Sequence, residues 1–337
     1  MVARLGKQQP PQRTRLAIAT VQFYATNSTF GCGLIKWCRS AASFANGMPW
    51  LDAEAVVFTN APQQTRKDCR APRGLQRPTL MPYDPGLVRD VQRWGTALAA
   101  QPWHQSMGAK PGVMATLFKW EVLRHTEWEA VLLTDNDVDF FLDSGGVLPP
   151  ESDWRAWRAL NHAWRVRYPE FLRSEAQLVG TPDFHVPINT AVLLLKPNRT
   201  VYRIGRRTLQ TQRFSIETGF NETGPPSLTL PCDQDGSGWG FLAHRAAATS
   251  STDLVDNRWG SQATSLINKR TKMCRHNTWN FICGAGDQGL VAHVYLVMLR
   301  GRTVRRTSWA SSRDQTWIVN HFFGAWPARA TVREHGP

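Results

Sequence analysis

Short apolar runs and amphipathic stretches alternate along most of the chain, an order that is typical of a mixed α/β protein. The apolar runs have the length of strands. They are continuous rather than alternating, as expected for strands buried on both faces of a parallel sheet. The runs predicted to be strands lie at 15–20, 55–59, 131–133, 179–181, 188–195 and 317–324. The pattern therefore predicts an α/β fold with a mostly parallel central sheet flanked by helices.

Between the predicted strands, apolar residues recur at helical spacing. The helices predicted in this way span 34–44, 112–127, 153–175, 200–213 and 283–299, and the last of them opens on a glycine turn. Residues 62–82 are rich in Pro, Arg and Gln and are predicted to form a long surface loop. Residues 214–274 are polar and rich in Gly, Ser and Thr, so the pattern assigns no element to them.

The length allows one large α/β domain or two small ones, and we predict a single domain over 15–330. A nucleotide-binding half is predicted at 15–150 and a second half at 151–330, with an insertion at about 214–274. Two flanking segments are predicted at 1–14 and 331–337. The first flanking segment is basic, has no apolar core of a signal peptide, and is predicted to be a disordered arm. No stretch reaches the roughly 18 uninterrupted apolar residues of a membrane span.

Composition and charge restrict the partners. The 337 residues carry a formal net charge of +14, which calls for an anionic ligand or a solvated basic surface. The arginines and lysines are scattered and match no nucleic-acid motif, so no nucleic acid is expected as a partner. The six cysteines contain no C-x-x-C pair, so zinc is not expected. Cys232, Cys274 and Cys283 could form one disulfide or stay thiols, which leaves both the cytoplasm and the Golgi lumen open.

Three aspartates follow the central apolar run at 131–133, namely Asp135, Asp137 and Asp139. The carboxyl edge of an open α/β sheet is where ligands bind. Carboxylates clustered there suit a hard divalent cation such as Mn²⁺ or Mg²⁺. A solvated turn or a helix cap is the alternative interpretation, and Asp139 is the weaker candidate because apolar Phe140 follows it.

Other candidate residues have equally plain structural alternatives. Phe30 follows the first strand and could receive a base or simply join the core. Asp287 precedes the last helix, where a carboxylate also complements the helix dipole. His321 follows the last apolar run, where imidazole could bind a metal or make a structural hydrogen bond.

Five blocks in order resemble the glycogenin-like family of retaining glycosyltransferases, family 8. They are ATNSTFGCGL, TLFKWEVLRHTEWEAVLLTDND, INTAVLLLKP, GAGDQGL and NHFFG, which begin at residues 25, 116, 188, 284 and 320. Each block is short, but five in the family's order make a specific pattern. The resemblance implies a GT-A fold and transfer of a hexose, with glucose favoured, from a UDP-sugar to a hydroxyl of a carbohydrate or protein. It also implies retention of configuration and dependence on Mn²⁺ or Mg²⁺.

The resemblance also implies roles for individual residues. Nucleoside and donor binding would fall to Thr26, Asn27, Phe30, Lys119, Asn136 and Gly324. The metal would be held by Asp135, Asp137 and His321, so that both aspartates also belong to the donor site. The catalytic set would be Lys119, Asn189, Asp287 and Gln288.

This chain departs from the family pattern in several places. Pro327 stands where the family has a lysine for the diphosphate, so that Arg329 would substitute or the contact is absent, and Gly284 replaces an aspartate. Two other readings therefore stay open. One is a phosphatase of the haloacid-dehalogenase type, with Asp135 as nucleophile and Asp137 as acid/base. The other is a sugar-nucleotide-binding domain of the same fold without turnover.

Overall fold

The computed structural model describes residues 15–24, 31–71, 73–100, 111–136, 154–181, 188–214 and 286–299, with the short pieces 138, 140, 219–220, 274–275, 278–279 and 304–306. A seven-stranded sheet in the order β3-β2-β1-β4-β6-β5-β9 forms its centre. The strands of this sheet are β1 Arg15–Gln22, β2 Asp52–Thr59, β3 Thr79–Pro82, β4 Ala130–Thr134, β5 Leu178–Thr181, β6 Asn189–Leu195 and β9 Val304–Arg306. Between β6 and β9, β7 Cys274–Arg275 and β8 Thr278–Trp279 pair antiparallel in a separate small hairpin.

Helices cover both faces of the sheet. They are α1 Gly31–Asn46, α2 Pro62–Asp68, α3 Pro85–Ala99, α4 Pro111–Thr116, α5 Trp154–Arg173, α6 Arg199–Thr211 and α7 Asp287–Val291. A 3₁₀ helix, Leu117–Arg124, continues α4, and a π-helical segment, Ala292–Met298, continues α7. No described helix is both long and apolar enough to cross a membrane. The predicted fold class, an α/β domain with a mostly parallel central sheet flanked by helices, is confirmed in this architecture, and the GT-A type stays a prediction.

Alternation along the central strands creates two separate cores. On β1, Leu16 and Ile18 join the core beneath α1 and α5, whereas Ala17 and Ala19 join the core beneath α3 and α6. The strand period of two places successive side chains on opposite faces, and apolar residues at every position fill both layers. All five residues of β4 are buried in the same way. The continuous apolar runs seen in the sequence therefore correspond to strands covered on both sides.

Strand β6 is antiparallel to both of its neighbours, β4 and β5, while the other pairings in the sheet are parallel. Because of this reversal, the amino end of β6 lies beside the carboxyl end of β4. Thr134 is paired with Val192, and the Asp135 N–H donates to the Ala191 carbonyl at 2.9 Å. Asp135 and Ala191, which are more than fifty positions apart in the sequence, are thus joined at one edge of the sheet.

A glycine on α6 allows this helix to approach the 3₁₀ helix that precedes β4. A Cβ atom added to Gly205 would lie 2.1 Å from Cε2 of the Trp120 ring. Trp120 Nε1 also donates to the Tyr202 carbonyl at 3.0 Å. Since real Cβ contacts do not approach so closely, only glycine at this position permits the packing that holds the 3₁₀ helix in place.

The prediction of a loop at 62–82 was wrong. The segment contains α2 and the edge strand β3, which pairs parallel with β2. Pro62 lies in the first turn of α2, where a missing N–H costs nothing. Pro82 ends β3, an edge strand that tolerates proline on its open side. The composition indicated a loop, but the same prolines occupy positions that helices and edge strands accept.

A disulfide joins Cys38 on α1 to Cys69, the residue that follows α2, with a Cα–Cα distance of 5.4 Å. Both cysteines are buried. The sequence did not single out this pair. A disulfide among Cys232, Cys274 and Cys283 stays one of two open interpretations, because Cys232 and Cys283 lie outside the described residues. The predicted strand at 317–324 also lies outside them, and the short strands β7, β8 and β9 were not predicted.

Candidate functional site

A compact charged cluster lies at the carboxyl edge of β4. Asp135 directly follows this strand, Thr190 lies near the start of β6, and Asp287 is the first residue of α7. Lys119 reaches the same place from the 3₁₀ helix. These four residues come from three of the sequence blocks that carry the family resemblance. The sheet edge and the approach of the helices bring together positions that span 168 residues of the chain.

Lys119 is at the centre of the cluster. Its Nζ lies 2.5 Å from Asp135 Oδ1 and 2.7 Å from Asp287 Oδ2. The same ammonium donates to the Thr190 carbonyl oxygen at 3.1 Å and contacts Thr190 Oγ1 at 3.4 Å. Lys119 is only 6% exposed. Such burial is tolerable because the positive charge is surrounded by oxygen acceptors, two of them anionic.

Burial by itself would lower the pKa of the Lys119 ammonium, because the charged group loses hydration. The negative charges of Asp135 and Asp287, and their hydrogen bonds to Nζ, outweigh that loss and raise the pKa of Lys119 well above its ordinary value near 10.5. Lys119 is therefore a fixed cation across the whole neutral range. It cannot act as a general base there, but it can hold a carboxylate or a phosphate oxygen in place.

Three contacts orient Asp287. Its Oδ2 accepts hydrogen bonds from Thr190 Oγ1 and Lys119 Nζ, and its backbone N–H donates to Thr116 Oγ1 at 3.3 Å. The residue also occupies the first position of a helix, where its charge complements the positive end of the backbone dipole. The helix-dipole interaction considered from the sequence is therefore compatible with the predicted site role, because one oxygen of the carboxylate is directed into the cluster, and no side chain caps the helix.

The cluster has an excess of negative charge. One ammonium faces two carboxylates, which gives a formal charge of −1. The Asp135 side chain is 36% exposed, in contrast to the buried Lys119 and Asp287. A partly exposed carboxylate beside a buried Lys–Asp ion pair offers the hard oxygen donors that Mn²⁺ and Mg²⁺ prefer, so the chemistry of Asp135 is compatible with its predicted role.

No group of three or more His, Cys, Asp or Glu side chains in the described part of the chain is arranged to hold a metal ion. Two of the three predicted metal ligands, Asp137 and His321, lie outside that part. The metal site therefore stays a prediction. Of its three predicted ligands, only Asp135 lies in the described part of the chain.

The end of β1 forms the neighbouring wall. Gln22 accepts a hydrogen bond from the Asn136 amide at 2.7 Å, which places Asn136 directly beside the cluster. Tyr24 is anchored to the end of β2, since its N–H donates to Asn60 Oδ1 at 2.8 Å and its carbonyl accepts from Asn60 Nδ2 at 3.0 Å. The chain is therefore fixed immediately before residues 25–30, the predicted nucleoside-binding segment.

A stack of aromatic rings packs against the carboxyl ends of β1 and β2. The rings of Phe23 and Phe118 are 4.9 Å apart, and those of Phe118 and Tyr83 are 4.5 Å apart. The Tyr83 hydroxyl donates to the carbonyls of Gln22 and Phe58, each at 2.9 Å. These contacts tie the carboxyl ends of β1 and β2 to the helix that carries Lys119, so the edge is a rigid platform.

The structure thus brings together three of the predicted site residues, Lys119, Asp135 and Asp287, and places Asn136 next to them. Asn189 begins β6 one residue before Thr190, and Gln288 follows Asp287 in α7. The remaining predicted site residues lie outside the described residues; they are Thr26, Asn27, Phe30, Asp137, His321 and Gly324.

Sequence reasoning missed three residues that hold the cluster, Thr116, Thr190 and Gln22. Each is a polar residue within or next to an otherwise apolar element, and Thr190 and Gln22 are only 2% exposed. A buried polar side chain needs a hydrogen-bond partner. An isolated Thr or Gln at the end of a predicted strand was therefore the signal that could have identified Thr190 and Gln22.

Thr190→Val is expected to destabilise the protein by about 1.5 to 3 kcal/mol, because a buried hydrogen bond to a carboxylate is lost while shape is kept. The matched control is Thr208→Val on α6, a buried threonine whose Oγ1 donates only to the Ile204 carbonyl of its own helix. The control should cost about 0.5 kcal/mol or less. Urea unfolding measures both variants. Equal losses in the two would show that the Thr190–Asp287 contact contributes nothing.

Comparison with known proteins gives only distant structural likenesses. No family model and no curated protein matches the chain. Among solved structures, the apo form of mouse xyloside xylosyltransferase 1 matches at 10% sequence identity and a TM-score of 0.29, over 58% of this chain and 72% of that one.

Proposed function

We propose that this protein is a metal-dependent retaining glycosyltransferase that moves a hexose, with glucose favoured, from a UDP-sugar to a hydroxyl of a carbohydrate or protein acceptor. The observation that carries the proposal is the Lys119–Asp135–Asp287 cluster. Two sequence blocks of the glycogenin-like pattern supply these residues, a third supplies Thr190 beside them, and the chain fold joins all three at the ligand-binding edge of an α/β sheet. Chance matches of separate blocks to the family pattern would not be expected to lie together at one point of the structure.

The chemistry of the cluster suits a sugar nucleotide. Departure of a diphosphate develops negative charge, and a fixed cation beside it lowers the energy of that state. Lys119 would supply this charge, since its pKa is raised well above neutrality. Asp287, oriented by Thr190, would accept hydrogen bonds from the donor sugar, and Asn189 and Gln288 would line the reacting carbon.

The residues that would hold a divalent cation are Asp135, Asp137 and His321, and Asp135 would do so from the exposed side of the cluster. When bound, the cation would act as a Lewis acid toward the leaving diphosphate. Thr26, Asn27 and Phe30 would bind the uridine. This segment follows Tyr24, which Asn60 fixes to the end of β2.

The phosphatase alternative fits less well. Its nucleophilic aspartate belongs after the first strand, but Asp135 follows β4, and its Oδ1 is 2.5 Å from a buried ammonium that reduces nucleophilicity. A non-catalytic sugar-nucleotide-binding domain shares the proposed donor site and differs only in turnover. Assays of binding and of transfer therefore have to be separate.

Calorimetry with UDP, UDP-glucose and other UDP-sugars, each with and without Mn²⁺, tests the proposal. Wild type should bind at least one UDP-sugar in a Mn²⁺-dependent manner and hydrolyse or transfer it. Asp137→Asn should abolish Mn²⁺-dependent binding, and Asp135→Asn should weaken it by more than the about 10- to 100-fold that loss of an outer-shell partner of a metal costs. Asp52→Asn is the matched control, because Asp52 is exposed at the amino end of β2, away from the ligand-binding edge.

Three results would count against the proposal. Absence of binding to every UDP-sugar would refute the donor class. Hydrolysis of phosphomonoesters by wild type without UDP-sugar binding would favour the phosphatase, and Mn²⁺-dependent binding without turnover on any acceptor would favour the non-catalytic domain.

A further inference from the structure

The outer surface of α3 and α6 is strongly cationic. The two helices pack side by side, with Trp94 of α3 against Phe214, which follows α6. Five exposed arginines line this surface, which we call the α3–α6 face: Arg89, Arg93, Arg203, Arg207 and Arg213. Residues 199–213 contain no acidic residue at all. Positive charge is therefore more concentrated on this face than the scattered arginines and lysines of the sequence indicated.

The carboxylates available near this face are already occupied. Arg206 Nε binds Asp90 Oδ2 at 2.6 Å, and its Nη1 binds Asp84 Oδ2 at 3.0 Å. Asp84 also accepts from the Tyr202 hydroxyl, and Asp90 accepts from the Gln210 amide. Within the described part of the chain, none of the five arginines of the face has a carboxylate partner. Their mutual repulsion is uncompensated and would be relieved by an anionic ligand.

A groove opens at the end of the face, between the carboxyl-terminal parts of α3 and α6, with a volume of about 230 Å³. Arg93 and Arg213 line it together with the amides of Gln210 and Gln212, and Trp94 and Leu209 contribute to its apolar floor. Guanidinium groups suit carboxylates and sulfates, amides suit hydroxyl groups, and an apolar floor suits the carbon face of a sugar ring.

Other anionic surfaces suit this face less well. Basic residues alone attract anionic lipids weakly, and stronger membrane binding also needs apolar side chains that insert. The exposed large hydrophobic residues in the described chain are Val166 and Met298, and neither belongs to α3 or α6. Single-stranded nucleic acid needs exposed aromatic rings for stacking, whereas Trp94 is 4% exposed and stacks on Phe220 inside the protein.

We infer that the α3–α6 face binds a linear acidic polysaccharide, with one carboxylated or sulfated sugar unit in the groove between Arg93 and Arg213 and further anionic groups along Arg89, Arg203 and Arg207. None of these residues belongs to the Lys119 cluster. The inference therefore stands whether or not the proposed transferase activity is found.

Fluorescence anisotropy with a labelled heparin hexasaccharide tests the inference. Wild type should bind it, with an affinity that falls steeply as salt rises. Arg93→Gln/Arg213→Gln should weaken binding about tenfold, and Arg89→Gln/Arg207→Gln should weaken it by a similar factor. The matched control is Arg39→Gln/Arg173→Gln, which removes two exposed charges from α1 and α5 on the opposite face of the sheet.

The test compares the loss of affinity in variants of the α3–α6 face with the loss in the control variant on the opposite face of the sheet. Equal weakening in the control and in the two test variants would overturn the inference, because it would reflect net charge alone. Thermal melts establish that all four proteins are folded, which surface Arg→Gln changes should permit. Tighter binding of single-stranded DNA or of phosphatidylserine vesicles than of the hexasaccharide, lost in the same variants, would overturn the assignment to a polysaccharide.

Discussion

Lys119→Met is expected to lower sugar transfer by about 100- to 1000-fold, since it removes the fixed cation on which the developing charge of the leaving group would depend. The same change should destabilise the fold by about 3 to 5 kcal/mol, because it leaves the buried Asp287 carboxylate without its ion-pair partner. Urea unfolding measures the second effect and requires no knowledge of the substrate.

Controls for this prediction are available within the chain. Lys36→Met, at an exposed position of α1, should change stability by about 0.5 kcal/mol or less. Lys119→Met/Asp287→Asn should be more stable than Lys119→Met alone, because the unpaired buried charge is gone. If the double variant instead shows the sum of both losses, Lys119 and Asp287 do not interact as the distances indicate.

The pKa of Lys119 also fixes the pH dependence of this effect. The folded-state value is raised above the ordinary value near 10.5, so the stability that the charge contributes is fully present below that pH and is lost only as pH rises through the folded value. The difference between wild type and Lys119→Met should therefore stay constant from about pH 6 to about pH 9. A difference that shrinks over this range would mean that Lys119 is not held as a cation.

Removal of the Cys38–Cys69 disulfide by Cys38→Ala/Cys69→Ala is expected to cost about 3 to 4 kcal/mol. The bond spans 31 residues, and closing a loop of this length restricts the unfolded chain by about that amount. The affected segment includes β2 and joins α1 to the residue after α2. Loss of the bond should therefore loosen the β1–β2 side of the sheet, next to the predicted nucleoside-binding segment.

Reductant provides the control for the disulfide. It should lower the urea midpoint of wild type while leaving Cys38→Ala/Cys69→Ala unchanged, and an equal response of both proteins would contradict the prediction.

Disulfides persist in oxidising compartments, so this bond favours the Golgi lumen over the cytoplasm among the two compartments that the sequence left open.

Much of the fold could be predicted because its signals are local. The runs at β1, β2, β4 and β6 are continuous and apolar, and burial on both faces of the sheet is the physical cause of that pattern. The edge strand β3 could not be predicted in the same way. It is four residues long, partly exposed and ends on Pro82, so it has neither apolar continuity nor alternation.

The candidate site was predictable only in part. Asp135 and Asp287 each had a structural alternative, a solvated turn and a helix-dipole interaction, and they stood out because both also match positions of the family pattern. Thr190 did not stand out, because its role depends on β6 running antiparallel to β4, and no local pattern in 188–195 gives the direction of a strand in a sheet. The pairing of Cys38 with Cys69 was missed for the same reason, since it depends on how α1 packs beside α2.

The amino-acid sequence by itself determined where the main strands and five helical segments lie and which residue types could carry chemistry, because hydrophobic period and side-chain chemistry are properties of neighbouring residues; it missed α2 and α3. Only the tertiary structure decided that Lys119 lies between Asp135 and Asp287, that Thr190 orients Asp287, and that four arginines of α3 and α6 share one face with Arg213, which follows α6. Those facts follow from sheet order, strand direction and helix packing, which join residues that are distant in the chain.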